Sequence, residues 1–100
     1  MEYSKEWKVR KDLHSRPLSR AAQLANTLYE KGIALYYTKN GTNKEYDFRC
    51  LMEALADLIP PNTRPDKITI HASGEHPKEV LESAVHRAIA ELNLKEDKRD

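Results

Sequence analysis

Apolar and polar residues alternate in four short segments of the chain, which is the pattern of strands with one buried face. Residues 7–11 alternate the apolar Trp7 and Val9 with basic residues. The later segments carry the apolar positions Ile33, Leu35 and Tyr37, then Tyr46 and Phe48, then Ile68 and Ile70. The alternation predicts four β-strands, the last of which ends near Gly74.

In three other segments apolar residues recur every three or four positions, as on the buried face of a helix. Gly32 is suited to end the first helix in a left-handed conformation, and Pro77 is suited to open the third. Pro60, Pro61 and Pro65 predict an irregular loop after the second helix. The three apolar stripes are Leu18, Ala21, Leu24, Ala25 and Leu28; Leu51, Met52, Leu55, Leu58 and Ile59; and Leu81, Ala84, Val85, Ala88, Ile89 and Leu92.

The predicted order, β-α-β-β-α-β-α, indicates an α+β fold. We expect an open-faced sandwich with a four-stranded antiparallel sheet and three helices on one face. The 100 residues fit one domain, 1–100, with an ordered core at about 7–94. Residues 1–6 and 95–100 are polar and should fray, and Asn40 with Gly41 should form a turn. Many unrelated proteins share this outline, so the order alone does not indicate a function.

Charge and composition argue against several classes of function. The 17 basic and 16 acidic residues nearly cancel, which gives no electrostatic reason to bind nucleic acid or an anionic membrane. Residues 1–10 lack the apolar core of a signal peptide, and no apolar run could span a bilayer, so a cytoplasmic protein is expected. We also expect it to be a monomer. The single cysteine, Cys50, cannot form an internal disulfide, and we expect it to be a buried, inert thiol. No Cys/His set has metal-ligand spacing, so neither a metal nor another cofactor is predicted.

The one concentrated chemical signal lies between the first strand and the first helix, in His14, Ser15, Arg16 and Pro17. A helix N-terminus exposes unpaired backbone N–H groups and a partial positive charge, and it therefore binds phosphate readily. A neutral imidazole at that place can attack phosphorus, and Arg16 can pair with phosphate oxygens. From spacing alone, a surface histidine beside a helix cap remains the simpler interpretation.

These residues resemble the active-site motif of HPr, the histidine phosphocarrier of the bacterial phosphoenolpyruvate-dependent sugar phosphotransferase system. That motif is a histidine, a small residue, then Arg-Pro at the start of the first helix, as in His14 to Pro17. The segment from Arg49 to Met52 resembles the opening of the family's second helix. Residues 68–74 are similar to its fourth strand, and the resemblance extends over about residues 7–94.

The resemblance implies a phosphoryl carrier rather than a stand-alone enzyme. His14 would accept a phosphoryl group from phosphorylated Enzyme I and pass it to an Enzyme II component. Enzyme I and Enzyme II components would be the two classes of partner protein. Ser15 and Arg16 would bind the phosphate. In that family apolar residues of the second helix help to form the docking surface. For the matching residues of this chain, ordinary core packing is an equally good interpretation. The matching residues are Leu51, Met52 and Leu55.

The chain departs from the family's pattern at several positions. Asp12 stands where glycine is usual, and its carboxylate would repel phosphate if it faced the site. Leu18 replaces a small residue and could crowd the helix start. Cys50 occupies the position of a regulatory serine, so serine phosphorylation is not expected there. Residues 53–67 lack the family's glycines. These departures leave open a second hypothesis, a regulatory or protein-interaction module with little or no phosphoryl transfer.

Three further histidines carry weaker signals. His71 lies in the predicted fourth strand, His76 precedes Pro77, and His86 lies on the third helix away from its apolar face. Each is expected to be a solvated or capping residue rather than a ligand.

Overall fold

The computed structural model describes residues 1–39 and 42–94. Within these residues the elements follow the predicted order, β-α-β-β-α-β-α. The strands are β1 (Glu2–Lys8), β2 (Ala34–Lys39), β3 (Glu45–Asp47) and β4 (Lys67–Ser73), and the helices are α1 (Ser15–Glu30), α2 (Leu51–Leu58) and α3 (Lys78–Asn93). The predicted Asn40-Gly41 turn and the predicted tail at 95–100 lie outside the described residues.

The strands form one antiparallel sheet in the order β1-β4-β2-β3. The central strand β4 buries Ile68, Ile70 and Ala72 and turns its alternate residues to the other face. This alternation follows from the two-residue period of a strand, and it puts the helices over one face only. The predicted open-faced α+β sandwich is therefore confirmed.

The first strand is Glu2–Lys8 instead of the predicted 7–11, so it begins and ends earlier, and the expected fraying is wrong for residues 2–6. β1 pairs with β4 along its whole length, from Glu2 opposite Ser73 to Lys8 opposite Lys67. This pairing uses backbone groups, so a polar sequence can form it at a sheet edge. Tyr3 and Trp7 supply the inward side chains of the strand.

Helices α1 and α3 largely bury the stripes that their periodicity predicts, whereas the predicted stripe of α2 is wrong in part, because only its Leu58 is buried and its Met52 is exposed. In α3, Leu81, Val85 and Leu92 are completely buried, and in α1 Leu18 and Ala25 are nearly so. Burial of each leucine or valine side chain contributes about 1.5–3 kcal/mol to folding. The stripes of α1 and α3 therefore hold these helices against the sheet. No helix in the described ranges is long and apolar enough to cross a membrane.

A network of polar side chains covers part of the open face of the sheet. His71 Nδ1 lies 2.8 Å from Glu2 Oε2, and its Nε2 lies 3.0 Å from Thr38 Oγ1. The Tyr36 ring stacks on the imidazole at 4.8 Å, and its hydroxyl donates to the same Glu2 oxygen at 2.9 Å. Burial and this hydrogen bond raise the pKa of Tyr36 to about 12. The network ties β1 and β2 to β4.

The network makes part of the folding stability depend on pH. The hydrogen bond from Tyr36, and then the contact with His71, lower the pKa of Glu2 below its usual value of 4.5, although burial opposes the shift. A carboxyl with a depressed folded-state pKa stabilises the fold above its unfolded-state pKa, and this contribution is lost as pH falls through the folded value. We expect the Tm to fall below about pH 4.5 and to fall less steeply in Glu2→Gln. Calorimetry across pH 2.5–6 measures the Tm of each variant. Glu30→Gln, which changes an exposed carboxyl on α1, is the control. Equal slopes of Tm against pH in the wild type and in Glu2→Gln would contradict this prediction.

Candidate functional site

His14 is the N-cap of α1, held at the surface by buried neighbours on both sides. Leu13 is 4% exposed and Leu18 only 1%, while Ser15 and Arg16 are exposed and His14 is half-buried. A turn closed by the Leu13 N–H on the Arg10 carbonyl (3.3 Å) directs the chain into the helix. The side chain of Leu18 lies in the core.

The imidazole of His14 is oriented by the helix that it caps. Its Nδ1 accepts a hydrogen bond from the backbone N–H of Arg16 at 3.4 Å. A ring nitrogen that accepts carries no proton, so in the neutral ring the proton is on Nε2. The lone pair of Nδ1 therefore points at the N-terminus of α1.

The first turn of α1 favours an anion. Its leading N–H groups have no partner within the helix, and Pro17 has no N–H to contribute, so Ser15 and Arg16 supply the donors beside His14. The turn contains no acidic residue. The helix dipole adds a partial positive charge at the same place.

Asp12, two residues before His14, is bound by a neighbouring guanidinium. Nε and Nη2 of Arg10 each donate to its carboxylate at 2.9 Å, which is a bidentate pair. Arg10 is itself held by the Leu92 carbonyl at 3.1 Å, and its hydrogen bond to Asp12 raises its pKa. This pairing offsets part of the negative charge that Asp12 brings to the loop.

Helix α2 lies beside α1, with its start near the end of α1 and its end near the loop before His14. At its start the Arg49 guanidinium stacks 3.6 Å from the centre of the Tyr29 ring. In the loop that follows α2, Arg64 Nη1 donates to the carbonyls of both Ile59 and Lys11, at 3.2 and 3.3 Å. The two contacts give α2 a fixed place along α1.

The Asp57 carboxylate anchors α2 to the sheet. It accepts hydrogen bonds from the Tyr37 hydroxyl at 3.2 Å and from Lys39 Nζ at 2.7 Å. Burial, and then the nearby charge of Asp57, raises the pKa of Tyr37 well above its usual value, so the hydroxyl stays protonated as a donor.

The three predicted docking residues of α2 differ in exposure. Met52 is 79% exposed, whereas Leu51 and Leu55 are half-buried and pack partly against the core. Leu51 and Leu55 therefore take part in core packing, whereas the exposure of Met52 is compatible with the predicted docking role. Met52 gives the surface beside α1 an unbranched, adaptable apolar side chain.

Cys50 is exposed, so the expectation of a buried thiol is wrong. It occupies the N-cap of α2 but makes no side-chain capping bond. Asp47 supplies the local acceptor instead, since its carboxylate accepts from the Arg49 N–H and guanidinium at 2.8–3.0 Å. Those bonds hold the pKa of Asp47 below its usual value even though burial opposes them.

The remaining histidines lie apart from His14. His76 Nε2 is 2.9 Å from the Lys31 carbonyl, as expected of a capping residue, and His86 packs edge-on against Tyr3. His71 belongs to the network on the open face of the sheet, which sequence reasoning missed because its partners are remote in the chain. Within the described residues no group of His, Cys, Asp and Glu could hold a metal ion.

Comparison with protein-family models gives no match for this chain, and comparison with curated proteins gives no significant one. The features of the chain that bear on function are therefore its local motif, its fold and the geometry around His14.

Proposed function

We propose that this protein is a cytoplasmic phosphocarrier of the HPr type. His14 accepts a phosphoryl group from phosphorylated Enzyme I and passes it to an Enzyme II component. The observation that carries the proposal is the hydrogen bond from the Arg16 N–H to His14 Nδ1, because it directs an unprotonated ring nitrogen at the N-terminus of α1. The α+β sandwich, with its HPr-like element order, supports the same function.

The reaction follows from this orientation. The Nδ1 lone pair attacks phosphorus, a new N–P bond forms, and the bond between phosphorus and the donor breaks with its electron pair left on the donor. The proton on Nε2 stays in place. The Arg16 N–H, at 3.4 Å from Nδ1, is released by the incoming group and donates to a phosphoryl oxygen, with Ser15 N–H beside it.

Little else is required of the carrier. Phosphoryl transfer depends mainly on positioning and on neutralising charge. Helix α1 supplies the N–H groups, and Arg16 supplies a full positive charge that can bind two phosphoryl oxygens at once. Met52, with Leu51 and Leu55 behind it, offers the partners an apolar contact.

Arg16→Ala should slow phosphorylation by Enzyme I without abolishing it. The loss of one charge-assisted hydrogen bond, about 1.5–3 kcal/mol, corresponds to roughly a 10- to 100-fold lower rate. Quench-flow measurement of the phosphorylation rate tests this. The control is Arg87→Ala, which removes an exposed arginine from α3 and should leave the rate unchanged. Equal phosphorylation rates in the wild type and in Arg16→Ala would show that Arg16 does not bind the transferred phosphoryl group.

The second candidate function is an interaction module on the same fold, and the 79% exposure of Met52 favours it, since that side chain can serve docking alone. The two functions differ in their dependence on His14. Incubation with Enzyme I and labelled phosphoenolpyruvate should label the chain if it is a carrier. An interaction module would remain unlabelled, and its partner binding would survive His14→Ala but not Met52→Ala.

A further inference from the structure

A cleft of about 580 Å³ lies between the segment that follows β1 and the loop that precedes β4. Two contacts join its walls: the Val9 N–H donates to the Asp66 carbonyl at 2.9 Å, and Arg64 donates to the Lys11 carbonyl at 3.3 Å. Its volume is within the range of small-molecule sites. The lining does not include His14, Ser15 or Arg16, so the cleft is distinct from the proposed phosphorylation site.

The cleft is positively charged. Lys8, Arg10, Lys11 and Arg64 line it, against the carboxylates of Asp12 and Asp66. Arg10 and Asp12 pair with each other, which leaves two lysines and Arg64 facing one carboxylate. The excess of two positive charges matches a phosphate monoester, which carries about −1.5 to −2 at neutral pH.

Arg64 is held in place yet retains donors. Both of its hydrogen bonds, to the carbonyls of Ile59 and Lys11, use Nη1. Its Nε and Nη2 N–H groups have no partner among the described residues and remain available to an acceptor. A guanidinium fixed in this way can bind two phosphate oxygens with little loss of side-chain entropy.

The rest of the lining is apolar. Pro61 and Pro65 are rigid and have no hydrogen-bonding side-chain groups, and Val9 beside them is mostly buried in the core. Such a wall favours the flat apolar body of a ligand over a second charged group. Charge and shape together indicate a ligand with one phosphate and one apolar ring.

We propose that this cleft is a binding site for a small phosphate monoester with a flat apolar body. Lys8, Lys11 and Arg64 contact the phosphate, and the two prolines pack against the body. The proposal is independent of the phosphocarrier function, because Lys8, Lys11 and Arg64 have no role in the proposed phosphoryl transfer to His14.

Phenyl phosphate is the probe, titrated into the full-length ¹⁵N-labelled protein and followed by NMR. We expect saturable shifts confined to the amides of residues 8–12, 64 and 66. Phenol and inorganic phosphate, each lacking half of the probe, should bind at least fivefold more weakly. Lys11→Gln should weaken binding about fivefold, the scale of one exposed charge pair. Lys8→Gln is a second variant if Lys11→Gln does not fold.

Lys78→Gln is the matched control, because it removes the same charge from an exposed position on α3 outside the cleft. Its affinity should equal that of the wild type. The proposal is overturned by shifts centred on Ser15 and Arg16, by equal affinity for phenol, or by an equal loss in Lys78→Gln. Absence of saturation at millimolar probe would overturn it as well.

Discussion

His14→Ala should abolish phosphorylation of this chain by Enzyme I and phosphoenolpyruvate. The substitution removes the only nucleophile that the proposal places at the N-terminus of α1, and the remaining backbone N–H groups can bind a phosphate but cannot accept a phosphoryl group. The expected result is loss of the radiolabel from the protein band. Loss of the capping contact costs about 1 kcal/mol, which leaves a folded domain.

The matched control is His86→Ala, which removes an exposed histidine from α3. It should be labelled as fast as the wild type. Circular dichroism and thermal melts establish that both variants are folded before labelling. Persistent labelling of His14→Ala would show that another residue is the acceptor and would refute the assignment of His14.

Gly74→Ala should be one of the most destabilising single substitutions in the protein. Gly74 follows β4 with φ of +156°, a conformation that L side chains rarely adopt. A Cβ at this position would meet the carbonyl oxygen of Gly32, more closely than real Cβ atoms approach backbone. Backbone cannot move aside as a flexible side chain can, so we expect a loss of about 3 kcal/mol in the free energy of unfolding.

Gly32→Ala is the matched comparison for Gly74. Gly32 also has positive φ, +84°, because it ends α1 as the sequence predicts, but an added Cβ there meets only His76 Nε2 at 3.6 Å, an ordinary contact. The expected cost is about 1 kcal/mol, from backbone conformation alone. Urea denaturation of both variants measures the difference. A loss of stability in Gly32→Ala that equals or exceeds the loss in Gly74→Ala would contradict this account of the close approach between Gly74 and the Gly32 carbonyl.

Elements with a local hydrophobic period, the strands included, could be predicted from sequence, whereas a segment held by pairing alone could not. The stripe from Leu18 to Leu28 defines α1 because side chains at helical spacing meet one core. The N-terminal half of β1 has no such signal. Glu2 is held in place by the sheet register opposite Ser73 and by the side chains of Tyr36 and His71, which lie far away in the sequence.

In the candidate site too, features that depend on neighbours in sequence could be predicted, and features that depend on remote residues could not. The position of His14 at the start of α1 could be predicted because the histidine, the proline and the helical stripe are neighbours in sequence. The contact of Arg64 with the Lys11 carbonyl could not, because 53 residues separate them. The exposure of Cys50 was mispredicted for a related reason. The residue type does not reveal that the N-cap position of α2 is exposed, because this depends on how the helix packs against elements that are remote in the sequence.

The most direct test of the central claim is to locate the phosphoryl group on the wild-type chain. After incubation with Enzyme I and phosphoenolpyruvate, tandem mass spectrometry under neutral conditions should place a single phosphoryl group on His14. The product should be labile in acid and stable in base, as a phosphoramidate is, and NMR should show the N–P bond at Nδ1. An unmodified chain, or an acid-stable phosphate on any other residue, would contradict the account.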